Sequence, residues 1–93
     1  MHADQMRQRI AQWTVTLKVN PTQIRLQRMT RKWASCSSAG RVTFNLELLG
    51  KPTAFQDCVI VHELLHLRIR NHGKLFAATL RAHLAHNPWV DHI

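Results

Sequence analysis

The sequence predicts an α+β fold, and three features of its patterning predict it. Apolar residues recur at helical spacing near the start, two short stretches in the middle alternate apolar and polar side chains, and helical spacing returns after a glycine and a proline. At 93 residues the chain is expected to be one domain, residues 1–93. A domain of this size buries only about 60 to 65% of the surface its unfolded chain exposes, so its core is modest and a bound metal would add stability.

The first helix follows from Met6, Ile10, Trp13 and Leu17, spaced by four, three and four, with Val19, Asn20 and Pro21 ending it. "TQIRLQRM" alternates Ile24 and Leu26 with Arg25 and Gln27, as a half-buried strand does. "ASCSSAG" is turn chemistry, and "RVTFNLELL" alternates again through Val42, Phe44, Leu46 and Leu48, so a small antiparallel sheet is expected. Thr53 followed three residues later by Gln56 is a capping-box pattern opening a helix over residues 54–70. A last helix fits "KLFAATLRAHLAH", with Leu75, Phe76, Leu80 and Leu84 facing inward and Asn87 and Pro88 stopping it.

Composition narrows the function classes. No apolar run approaches the ~18 residues a membrane span needs, and the start shows no signal-peptide pattern, which predicts a soluble, cytoplasmic protein. Cys36 and Cys58 are too few for a disulfide scaffold and have no zinc-ribbon spacing, so free, buried thiols are expected. Thirteen Lys and Arg against five acids give a formal charge of +8. Such a charge attracts nucleic acid, anionic membranes or acidic substrates without choosing among them, and a solvated basic surface is the alternative.

The middle helix carries the chemistry. "VIVHELLHLRIRNHGKLF" places His62, Glu63, His66 and His72 in a run that is otherwise aliphatic or basic. Four residues apart on a helix, His62 and His66 sit about 40° apart around the axis and about 6 Å along it, so both imidazoles reach one metal ion. Glu63 is then placed beside a metal-activated water without being a ligand, which is the mechanical content of HExxH. The apolar flanks argue for burial, and burying two imidazoles and a carboxylate without partners is expensive.

His72 points about 240° away from His66 on a continuous helix, so it joins them only if the helix ends near Arg70 and the chain turns back. Asn71 and Gly73 tolerate the left-handed conformation such a turn uses. HExxHxxxxxH is also metzincin spacing, but Ile69 replaces the mid-motif glycine. Cys58, His62 and His66 share one helical face, yet the outer two lie about 12 Å apart, too far for one zinc ion. His83 and His86 are expected at the surface, and His2 and His92 carry no signal. Three neutral imidazoles with an open fourth position predict catalytic Zn2+, with Glu63 as general base in metal-assisted hydrolysis.

The stretch "RKWASCSSAGRVTFNLELLGKPTAFQDCVIVHELLHLRIRNHGKLF" resembles the YgjP-like metallopeptidase family, related to SprT-like and WLM domains. That family shows a "WGSCS" turn, a strand ending in "LN", a proline, a "VxHELxHL" helix and "NHxxxF". The counterparts here are Trp33 to Ser37, Phe44 and Asn45, Pro52, Val61 to Leu67, and Asn71 to Phe76, and the match covers residues 23–84. It implies a minimal, gluzincin-like zincin fold, with the sheet against the HExxH helix and zinc on His62, His66 and His72. Ala34 stands where the family has glycine, expected as a small change in a tight turn, and the N-terminal part is shorter than the family's.

These readings predict a zinc-dependent peptidase that holds an extended peptide by strand addition, with residues 41–47 as the edge. The alternatives are hydrolysis of a phosphate-bearing substrate such as a nucleotide, and a basic DNA-associated module whose zinc is structural.

Overall fold

In the computed structural model, which describes residues 2–91, helix α1 (Ala3–Leu17) begins with a capping box. The His2 side chain accepts from the Asp4 backbone amide, and the Gln5 side chain accepts from the backbone N–H of His2. His2, which carried no signal in the sequence, therefore holds a helix end. The apolar positions Met6, Ile10 and Leu17 are buried as their spacing predicts. Lys18 closes the helix in the left-handed conformation, φ 56°, earlier than Asn20 and Pro21 would have done.

Three strands follow: β1 (Gln23–Gln27), β2 (Ala34–Cys36) and β3 (Arg41–Asn45). The sheet order is β1-β3-β2, with β1 parallel to β3 and β2 antiparallel to it. The expected antiparallel sheet is thus a mixed one. Alternation reports which face of a strand is buried, not which way its neighbour runs. The direction is set instead by the excursion between β1 and β2, which crosses the end of β3 and is pinned there by Asn45. Its side-chain amide donates to the carbonyls of Met29 (3.0 Å) and Lys32 (2.9 Å), and its Oδ1 accepts from the backbone of Glu47 (3.0 Å).

Two further expectations change with this topology. "ASC" is a strand, not a turn, and Ala34 pairs with Phe44 inside it. The four-residue turn follows at residues 37–40, where Gly40 adopts φ 86°. Residues 41–47 are not an edge: β3 is the central strand, buried from Val42 to Asn45, and the chain then leaves the sheet as a 3₁₀ turn (Leu46–Gly50). The edge strands are β1 and β2.

Helix α2 (Thr53–Leu65) is the spine of the core, with Cys58 to Val61, Leu64 and Leu65 all buried. No capping box opens it. Pro52 is its cap, and Gln56, 1% exposed, instead donates to the carbonyls of Leu48 (2.7 Å) and Lys51 (3.1 Å), satisfying buried backbone acceptors. Helix α3 (Lys74–His83) buries Phe76 and Leu80, and Leu84 beyond it is buried too, whereas Leu75 is 66% exposed rather than inward-facing. Both thiols are free as expected, Cys58 buried and Cys36 half-buried. His86 is exposed, while His83 is half-buried with its ring edge-on to Trp13. His92 lies outside the described residues. Among those described, no helix is long and apolar enough to cross a membrane.

Candidate metal centre

Helix α2 ends at Leu65, five residues before the expected end, although nothing in the sequence breaks it there. Tighter bonds carry the turn onward: Leu67 N–H to the Leu64 carbonyl and Arg68 N–H to that of Leu65, both 3.0 Å. The chain departs after Ile69, close to where the third histidine requires it. Neither Asn71 nor Gly73 takes the left-handed conformation expected of them. The turn is made by 3₁₀-type tightening, and Gly73 serves as the extended cap of α3.

This path brings all three histidines together. His72 Nε2 lies 3.3 Å from His62 Nε2 and 2.8 Å from His66 Nε2. Two nitrogens held by one tetrahedral zinc at ~2.0–2.1 Å lie about 3.3–3.4 Å apart. The first pair matches this spacing, and the second is about half an ångström tighter, within reach of a small ring rotation. The donor set therefore fits a metal. His66 Nδ1 lies 3.2 Å from the Ile69 carbonyl, and since a carbonyl only accepts, Nδ1 carries the proton and Nε2 keeps its lone pair. His62 Nδ1 is buried without a hydrogen-bond partner among the described residues. Cys58 lies in the core outside the cluster.

Burial favours the neutral form of His62 and the protonated form of Glu63. Burial, then the proximity of His66 and His72, lowers the His62 pKa to about 4. Burial raises that of Glu63 above the usual carboxylate value, against the opposing pull of Lys32 and His72. Cys36 is raised by burial and by Glu63, with Arg70 acting the other way.

A residue whose role at the site was not read from spacing is Phe76. Its ring stacks on His66 (centroids 4.7 Å) and stands edge-on to His62 (5.1 Å) and His72 (4.9 Å), so one α3 side chain braces all three imidazoles. The "NHxxxF" pattern was the signal that could have found it. On one side of the cluster a cavity of about 420 Å³ is bounded by β2, Glu63, Lys32 and Arg70. On the other a cavity of about 360 Å³ is lined by Phe76, Leu80 and Val90, with the Arg81–Asp91 ion pair at its rim.

An α+β fold that converges three imidazoles and an up-shifted carboxylate on one open cleft is that of a metal-dependent hydrolase. The chain belongs to the YgjP-like family: the model described as "YgjP-like, metallopeptidase domain" matches residues 2–91. Among solved structures it is similar to the crystal structure of the metallopeptidase zymogen of Methanocaldococcus jannaschii jannalysin. The two are 26% identical with a TM-score of 0.75, over 83% of this chain and 79% of that one. No curated protein matches the chain.

Proposed function

We propose that this chain is a zinc-dependent peptidase in which His62, His66 and His72 hold the metal and Glu63 is the general base. The observation that carries the reading is the convergence of three imidazole nitrogens within 4.8 Å of one another, beside a half-buried carboxylate and an edge strand. When bound, zinc supplies Lewis acidity that acidifies a water and polarises a carbonyl.

The protein's own groups do the rest. Glu63 accepts the proton of the attacking water on a carboxylate oxygen and passes it to the departing amine. Its pKa, raised by burial above the usual carboxylate value, suits that duty, because a desolvated carboxylate is a stronger base than a solvent-exposed one. β2 has β3 on one side and lines the cleft on the other, so its edge can take an extended peptide by main-chain pairing, the role first given to residues 41–47. Phe76 keeps the histidine rings in register.

Glu63→Gln tests this reading. The amide preserves shape but takes no proton, so hydrolysis of a peptide panel should fall by about 10²- to 10⁴-fold while zinc content, near one per chain, and circular dichroism match the parent. Activity surviving within a few-fold would remove Glu63 as the base. Lys32 and Arg70 beside the cleft are the observation that favours a phosphate-bearing substrate instead. Glu63-dependent turnover of nucleotides, with none of peptides, would establish that second reading.

A further inference from the structure

A third cavity, of about 390 Å³, opens where the end of α1, the turn at residues 37–40 and the end of α2 meet. Lys18, Arg68 and Arg70 line it, and no carboxylate does. The chain has only five acids, and all are elsewhere. Asp4 sits beside His2, Asp57 pairs with Arg9, Asp91 pairs with Arg81, Glu63 is in the metal cleft, and Glu47 is in the 3₁₀ turn. Among the described residues, three cations thus line one hollow that no acid lines, although each is repelled by the others.

The hollow is not separate from the cleft. Ser37, His66 and Arg70 line both. β2 runs along the cleft and passes through Ser37 directly into the turn that walls the hollow. A strand rises ~3.3 Å per residue, so a peptide paired along the three residues of β2 covers about 10 Å between the two. Arg68 is already oriented there, since its Nη1 donates to the Leu17 carbonyl at 3.0 Å, leaving its other N–H groups for a ligand.

We propose that the hollow bounded by Lys18, Arg68 and Arg70 is a subsite for an acidic side chain of the polypeptide substrate, a few residues from the scissile bond. The proposal rests on the peptidase reading above. A polypeptide fits both parts better than a nucleic acid does, because a strand edge offers main-chain pairing that a sugar–phosphate backbone cannot return. The cations are exposed, so the preference weakens with salt.

The test uses a labelled alanine-based peptide in which one Glu is walked across the central positions, each peptide matched by its Gln counterpart. Binding is measured to the zinc-loaded Glu63→Gln protein, so that it does not depend on hydrolysis. At one position Glu should bind about tenfold tighter than Gln at low salt, the size of one favourable charge-assisted contact. Lys18→Gln should collapse that ratio towards one, and Arg68→Gln likewise. Arg7→Gln, which makes the same charge change on the exposed face of α1, should leave it intact. Cleavage of the same peptides by the parent protein is the separate readout for the peptidase reading, so either idea can fail alone. Equal binding of Glu and Gln peptides at every position would overturn the subsite. So would a dT12 oligonucleotide that displaces the Glu peptide and loses its own binding in the Lys18→Gln protein, which would make the hollow a phosphate site.

Discussion

The two ends of α2 treat their polar groups in opposite ways. At the N-terminal end, Asp57 accepts from Arg9 and from Trp13 Nε1 (3.0 Å), while the buried Gln56 takes Arg9 on its oxygen and spends its amide on two carbonyls. Every one of those groups finds a partner inside the protein. At the C-terminal end, His62 Nδ1 is buried without a partner among the described residues, and the Nε2 atoms of three histidines face one another. A folded protein satisfies the polar groups it buries for architecture, and three imidazoles at and beyond the end of this helix whose Nε2 atoms meet only one another form the set that the proposed metal would satisfy.

The strongest way to break this comparison is to remove a group from the unsatisfied end. His62→Ala should weaken zinc binding by at least about 100-fold, because the two remaining imidazoles no longer enclose a tetrahedral site. Metal content after exhaustive dialysis reads this, and one equivalent of zinc retained by the variant would show that the cluster is not the metal site. The matching change at the satisfied end acts on stability instead. Asp57→Ala leaves the Trp13 indole N–H without its acceptor and the Arg9 guanidinium with Gln56 alone, and should destabilise the fold by about 1 to 3 kcal/mol. Urea denaturation measures it, with zinc affinity unchanged within about twofold.

A smaller effect sharpens the boundary between the two ends. Phe76→Leu keeps an apolar side chain in α3 but removes the flat face that braces three imidazoles, and should weaken zinc binding by about tenfold. A cobalt-substituted sample would report the altered geometry in its visible spectrum. An unchanged spectrum and affinity would reduce Phe76 to a core residue.

The same division explains what the sequence disclosed. The histidine cluster was legible because HExxH fixes two histidines by helical period, and His72 needs only that the chain turn after Ile69. Cores of helices were legible from period, at Met6, Ile10 and Leu17. The sheet's direction was not, because it depends on Asn45 holding two carbonyls far from it in sequence. Mistaking β3 for an edge followed from that. Thr53 and Gln56 matched a cap by spacing, yet Gln56 is drawn inward by unpaired carbonyls that only the folded chain brings near it. Long-range polar satisfaction, not local propensity, decided each of these.

The smallest effect concerns pH in the metal-free protein, where His62 and Glu63 act with opposite signs. The His62 pKa falls from 6.5 unfolded to about 4 folded, so between those values the unfolded chain binds the proton and the fold does not. Stability is therefore full above about pH 6.5 and declines as the pH falls towards 4, below which the loss levels off. Glu63 is raised on folding, so just above its unfolded value of 4.5 the folded state holds the extra proton and gains stability as pH falls. The two contributions oppose each other just above pH 4.5, so the parent's melting temperature should fall less steeply there than His62 alone would make it. Glu63→Gln removes one of the pair. Its metal-free form should lose melting temperature more steeply than the parent as the pH falls towards 4.5, a divergence readable by scanning calorimetry in chelator. Parallel curves for the two proteins would mean that burial of Glu63 is not coupled to folding, and the carboxylate would then lose the desolvated setting that suits it to move a proton.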